Sequence, residues 1–146
     1  MFTALIDRTL SRLKERMHEA RKFMAGEHAR AYALPGVRVY VGPLAFEPLG
    51  QESFTVRPRL NVLLEFQGHR GEAARIQGIS AMVEAAVAIL SFQDLDLDID
   101  GLMPVSAQEV TTREDDASGK IRWLVVFETS FGMDRAEDTE AGELLR

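Results

Sequence analysis

Apolar residues recur along this chain with two different periods, and the changes of period mark its elements. Phe2, Ile6, Leu10, Leu13, Met17, Ala20 and Met24 repeat at three- and four-residue spacing, which predicts an amphipathic helix. Arg8, Arg12, Lys14, Glu15, Arg16 and Glu19 fill its other positions. Thr3 is placed to cap this helix, because its hydroxyl accepts from an early backbone N–H, and Gly26 to stop it. The stripe is expected to pack on the chain's own core, since most helix stability comes from tertiary burial. After Pro35-Gly36 the period falls to two, and Val37, Val39 and Val41 share one face of a short strand. Gly42 to Ser53 (GPLAFEPLGQES) then shows neither period and reads as a loop, longer than the usual four to six residues. Its apolar residues Leu44, Phe46 and Leu49 need cover, either from a partner subunit or from the domain's own edge.

Phe54 to Gln67 is the longest alternating run. Phe54, Val56, Pro58, Leu60, Val62, Leu64 and Phe66 face one way, while Thr55, Arg57, Arg59, Asn61, Glu65 and Gln67 face the other. Pro58 donates no ladder hydrogen bond, which predicts an edge, a strand start or a bulge there. Arg57 and Arg59 project together, as ordinary surface arginines or as a basic contact strip for an acidic neighbour. Glu72 to Phe92 is a second helix, with Ile76, Ile79, Val83, Ala86, Val87 and Leu90 on a wide apolar face. Gly78 inside it costs about 1 kcal/mol against Ala, so close packing on a strand is its expected reason. In Gln93 to Gly101 (QDLDLDIDG), Leu95, Leu97 and Ile99 alternate with Asp94, Asp96, Asp98 and Asp100, as in a strand with one acidic face. Val105–Thr112, a solvated turn at Arg113–Lys120, and Ile121–Met133 complete a β-hairpin, with Ile121, Trp123, Val125, Phe127 and Thr129 on one face. These elements predict an α+β domain: one mixed or mainly antiparallel sheet, two covering helices and a C-terminal hairpin. It should occupy residues 1–133, leaving Asp134–Arg146 as a polar acidic tail.

Composition narrows the chemistry. The 146 residues suit one domain with a proper core. Cysteine is absent, which excludes disulfides, thiol chemistry and Cys-based zinc sites. His18, His28 and His69 are scattered without metal-ligand spacing. No apolar run reaches membrane-span length and no signal-peptide stretch opens the chain, so a soluble cytoplasmic protein without a membrane partner is expected. Asp96, Asp98, Asp100 and Gly101 match the start of a calcium loop, but its twelfth position falls on Ala107 instead of a bidentate acid. The carboxylates are therefore read as a solvated face, with no metal. No Walker loop, dinucleotide fingerprint or Gly-x-Ser-x-Gly elbow is present, so no catalytic residue and no cofactor is assigned. Charge is uneven: residues 1–38 hold eight Lys/Arg against four Asp/Glu, whereas 39–146 hold nine against nineteen. An acidic bulk disfavours tight binding to nucleic-acid phosphates but permits non-adhesive contact.

An opening helix, a Pro-Gly-Val strand, a long connection, a strand, an Ala-rich helix and a final hairpin resemble the tail terminator (tail-completion) proteins of lambda-like and Mu-like phages. The nearest local likeness is Thr111–Asp116 (TTREDD), then a Ser/Gly/Trp-containing stretch and a strand closing on Phe127-Glu128-Thr129. The resemblance covers roughly residues 1–133 and leaves out the polar tail. It implies a hexameric ring that caps the tail tube, ends its polymerisation and offers a joining surface to the head-side connector protein. The partners it implies are copies of the chain, the tube protein and the connector, with DNA passing through the lumen unbound. The implied place is the virion tail, assembled in the bacterial host cytoplasm. Asp94, Asp96, Asp98 and Asp100 are then candidates for an acidic lumen that repels phosphates. Two other classes fit the residues: a non-viral α+β adaptor that dimerises through a sheet edge, and a small-ligand or calcium-binding domain.

Overall fold

Helix α1 (Phe2–Arg16) turns Leu5, Thr9 and Leu13 into the core, and the Thr9 hydroxyl satisfies itself on the Leu5 carbonyl at 2.7 Å. Its cap is Met1, without a side-chain hydrogen bond, so Thr3 does not cap it. The helix also ends eight residues before the apolar stripe does. Met17 is already extended, and Lys22–Ala25 forms strand β1, parallel to the next strand. Here tertiary pairing overrides the helical period, and Gly26, with φ of +93°, closes a strand instead of a helix. The computed structural model describes residues 1–27, 33–68 and 71–135. The polar tail beyond Arg135 lies outside the described residues, although the last strand reaches Asp134.

Strands β2 (Gly36–Pro48), β3 (Ser53–Gln67), β4 (Met103–Glu109), β5 (Lys120–Glu128) and β6 (Phe131–Asp134) complete one mixed six-stranded sheet. Its order is β1-β2-β3-β5-β4, with β6 continuing the β5 side of β3. Helices α1 and α2 (Gly71–Leu90) cover one face, giving the α+β architecture expected. Val37, Val39, Leu60, Val62, Leu64, Ile121, Val125 and Phe127 meet Leu5, Leu13, Met82, Ala86 and Leu90 in the core. Trp123 packs partly buried against it, so the predicted apolar face of the hairpin holds. The predicted turn contains a short helix, α3 (Arg113–Ala117), closed by a capping box between Thr112 and Asp115.

The largest departure is the supposed loop at Gly42–Ser53. Most of it belongs to β2, which stays paired to β3 as far as Pro48. A bulge between Val41 and Leu44 adds one residue and switches the parity. Before the bulge odd residues face the helices; after it Leu44, Phe46 and Pro48 do, opposite Pro58, Val56 and Phe54. A period-two reading breaks at that step. Gly42, at φ +140°, accommodates the kink, and the buried Asn61 amide donates to its carbonyl at 2.6 Å. Pro58 lies opposite this bulge and opposite the gap Thr129–Ser130 between β5 and β6, so its missing N–H coincides with both interruptions.

Two glycines separate packing from tolerance. Gln93–Gly101 is not a strand: Phe92, Leu95 and Asp96 have positive φ, and the segment is a compact loop. Its ends are tied by Phe92 N–H to Leu102 O (2.6 Å) and Leu102 N–H to Gln93 O (2.9 Å). Alternation survives without the strand, since Leu95, Leu97 and Ile99 turn inward and the aspartates outward. A Cβ on Gly101 would lie 2.9 Å from the Phe92 carbonyl oxygen, so close backbone approach explains this glycine without a calcium loop. A Cβ on Gly78 would meet Phe66 at 3.8 Å, an ordinary contact, so strand packing does not require that glycine. Gly101→Ala should lower stability by about 1–3 kcal/mol through forced backbone movement. Gly78→Ala should raise it by up to about 1 kcal/mol. Urea midpoints of the two variants check both, and equal midpoints would refute the assignment.

Candidate functional site

Beyond Pro58 the sheet runs on as an arm that the helices leave largely open. Register places Phe46, Val56 and Phe131 in one row across it, and Pro48, Phe54 and Met133 in the next, all on the helix side. Val56 and Phe131 are buried, and the Phe131 ring meets Phe2 of α1 edge-on at 5.7 Å. Phe46 and Leu49 stay 58% exposed, with Leu44 and Met133 near 40% (39% and 42%). The structure thus gathers Leu44 and Phe46 on one strand face, with Leu49 in the turn beyond. Met133 joins them, and only the strand register reveals it. A contiguous apolar rim of this kind marks interaction surfaces in soluble proteins.

Arg57 and Arg59 do not form a basic strip. Arg57 pairs with Glu47 at 3.1 Å and Arg59 approaches Glu128 at 4.0 Å, all four partly exposed. Exposed pairs of this sort are worth about 0–1 kcal/mol, so they set local charge without holding the sheet. The four aspartates do not share one face either. Asp94 and Asp96 line a cleft of ≈ 300 Å³ with Arg8, Arg12 and Glu15 of α1. Asp98 and Asp100 line another, of ≈ 460 Å³, with Arg57, Thr55 and Leu49 beside the arm. Asp100 is tied back, its backbone N–H donating to Ser130 O at 2.9 Å and its carboxylate accepting from the Ser130 hydroxyl. All four remain exposed. Arg12 also donates to the Ile89 carbonyl at 2.7 Å, supplying a cation to the end of α2, whose last turn has none.

The face opposite the helices holds the strongest electrostatics. Glu65 is 1% exposed, and its carboxylate accepts from Arg38 Nε (2.7 Å), Lys120 Nζ (2.7 Å) and Arg122 Nε (3.2 Å). Arg122 leans on toward Asp115 at 3.6 Å. Burial pushes the Asp115 carboxyl up, but hydrogen bonds from the Thr112 backbone and hydroxyl region and the charges of Arg122 and Lys120 prevail, holding it below the usual 3.8. Tyr40 moves the other way, raised by burial and by Glu27, against a lowering by Arg122. No spacing in the sequence announces this cluster, because its members come from β2, β3 and β5. Among the described residues, no three of His, Asp and Glu gather as a metal ligand set. His28 and His69 lie outside the described residues. No helix among them is long and apolar enough to cross a membrane.

Ile76, placed on the apolar face of α2 by its spacing, is 56% exposed, while Ile79, one turn later, packs against the core. Phe92, assigned to the helix end, is 72% exposed on the loop beyond it. Neither exposure is legible from periodicity, which gives the face of a helix but not where the core stops.

No family model matches the chain, and no curated protein matches it in sequence. Its fold does have a solved counterpart. A chain described as "Virion of native gene transfer agent (GTA) particle" aligns over 90% of this chain and 96% of its own, with a TM-score of 0.62 and 15% identity. At that identity the likeness is one of fold, and it spans both chains almost end to end.

The Glu65 cluster yields a direct test. Glu65→Gln keeps the shape but removes a charge that Arg38, Lys120 and Arg122 share, and breaking a buried pair on one side costs about 3–5 kcal/mol. Lys120→Met, at a partly exposed position, should cost under about 1 kcal/mol. Urea unfolding of the two variants should show this order, and the reverse order would refute a central role for Glu65.

Proposed function

We propose that this chain is a structural protein of a phage-like virion, and that within it the chain is a tail terminator. In this reading six copies close into a ring on the end of the tail tube. The ring stops tube growth and presents a surface to the head-side connector protein. The observation that carries the proposal is the fold correspondence with a chain of a gene transfer agent virion, at TM-score 0.62 over 90% of this chain. The order of elements expected of terminators supports the finer assignment, because α1, the β2–β3 pair, α2 and the β4–β5 hairpin follow in that sequence.

The surface suits such a role. The arm carries Leu44, Phe46, Leu49 and Met133 outward, where a neighbouring copy or the tube protein would cover them. The reading assigns no catalysis, cofactor or resident metal; partners are other chains, and DNA passes without being gripped. Asp94, Asp96, Asp98 and Asp100, exposed on their loop, are the groups proposed to line part of the passage. The place of action is the virion tail, after assembly in the host cytoplasm.

Deleting the gene in the phage or prophage that carries it should give overlong, headless tails, and cryo-EM of intact particles should show a six-fold ring at the tube's end. Tails of normal length joined to heads without this protein would overturn the proposal, as would a dimeric adaptor away from the tail. Asp96→Lys with Asp98→Lys should change folding stability by less than about 0.5 kcal/mol, since both are exposed. DNA retention in particles carrying these changes should become salt-dependent. Aspartates found on the outer wall of the ring would end the lumen assignment while leaving the ring itself intact.

A further inference from the structure

The strand order ends in two edge strands, β1 and β4, and their regular stretches match each other in length. All seven residues of β4 are exposed, and only its first half is guarded, by Pro104 and the bulge between Pro104 and Ser106. That leaves four regular residues, Ser106–Glu109, and β1 offers four, Lys22–Ala25. We infer that Ser106–Glu109 of one copy pairs with the β1 edge of a second copy, so that the sheet runs on from subunit to subunit. The inference rests on the ring reading and names the interface that closes it.

Three features, linked by the handedness of the backbone, agree on how the edges join. The first is direction. β1 runs parallel to β2, β2 antiparallel to β3, β3 to β5 and β5 to β4, so β1 and β4 are antiparallel whenever one sheet continues into the next. The second is which backbone groups point outward. Gly26 N–H donates to Val39 O, so by alternation Lys22 and Met24 turn toward β2 while Phe23 and Ala25 turn their polar groups out. Val110 N–H donates to Arg122 O, which likewise leaves Ala107 and Glu109 turned out.

The third is the side-chain face. Phe23 is opposite Val37, and Ala107 and Glu109 are opposite Val125 and Trp123, all on the helix side. A slip of one residue would put helix-side residues against the bare face, and neither backbone nor side chains would then meet. Among the allowed registers, pairing Phe23 with Ala107 sets Lys22 against Gln108 and Met24 against Ser106. The register two residues further along one way leaves Lys22 against Ser106 as the one pair with both members in the regular stretches; two residues the other way sets Phe23 against Glu109. Only the first pairs Phe23 with an apolar residue inside the regular stretches. Two different edges on one subunit make a head-to-tail contact, the kind that builds a ring when its rotation closes.

The natural chain contains no cysteine, so introduced thiols report this interface alone. Lys22 and Gln108 are both exposed and become a non-hydrogen-bonded cross-strand pair, with Cα atoms about 4.5 Å apart, inside the range a disulfide spans. Lys22→Cys/Gln108→Cys, treated with a mild oxidant alone and on purified tail tubes, should give a ladder of reducible species at multiples of 16.3 kDa. Lys22→Cys/Glu109→Cys, shifted by one residue to the opposite face, should give no such ladder. If the untreated wild-type protein is multimeric but the first pair links no better than the second, the edge inference fails and the ring reading stands. If wild-type protein stays a single chain both in solution and on tubes, the ring reading itself fails and takes this interface with it.

Discussion

Strand β3 carries hydrogen-bonded ladders on both flanks: β2 along one side, and β5 followed by β6 along the other. Every other element is placed relative to it. Its middle, Leu60 to Phe66, is buried on both faces because helices cover one and the Glu65 cluster fills the other. Pro58 divides that strand. Without an N–H it cannot sustain a ladder, and both partners break beside it, β2 by bulging and β5 by ending. The half after Pro58 becomes the core of the domain, and the half before it becomes an arm. A single residue thus separates the part of the sheet that holds the fold from the part that the helices leave largely open.

The two faces of β3 are held by different physics. On the helix side, each fully buried Leu, Val or Phe contributes about 1.5–3 kcal/mol, without demanding a particular geometry. On the other side Glu65 is 1% exposed, and desolvating a carboxylate costs several kcal/mol unless partners restore it. Arg38, Lys120 and Arg122 restore it from three directions, which fixes β2, β3 and β5 in one register. A one-residue slip of either neighbour would strand those charges. The cluster therefore specifies pairing more than it adds stability, while the apolar side supplies the stability and tolerates more change.

What the sequence disclosed follows from that division. Period-two runs found β3 and β5 and the correct core faces, because long ladders without bulges keep their parity. The same logic failed at Leu44–Pro48, where one extra residue reversed the parity and a strand read as a loop. It failed differently at Met17–Met24: the apolar spacing there suits a helix, but a parallel partner in β2 was available, and no local signal announces that. The Asp94–Asp100 alternation was real as a pattern of burial and wrong as a strand, since positive φ at Leu95 and Asp96 coils it. Of the candidate site, Leu44, Phe46 and Leu49 were legible as apolar residues lacking cover. The pairing of Arg57 with Glu47 was not, because a residue's cross-strand neighbour depends on the bulge.

An exposed arm alone would not hold an assembly together. Covering Phe46 and Leu49, each 58% exposed, would yield about 1–2 kcal/mol apiece at the usual transfer value. Bringing two subunits together costs an estimated 4–15 kcal/mol in lost translation and rotation. The difference must come from other contacts, and main-chain pairing along open edges is the kind that strand addition uses. Closure of the proposed ring would change the arithmetic, because the last subunit would make two interfaces while losing its freedom once. Subunits with modest individual contacts can therefore remain apart in dilute solution and still lock firmly on a template that gathers them. Such a balance would keep the proposed capping subunit from polymerising by itself, and it requires each surface to be weak alone.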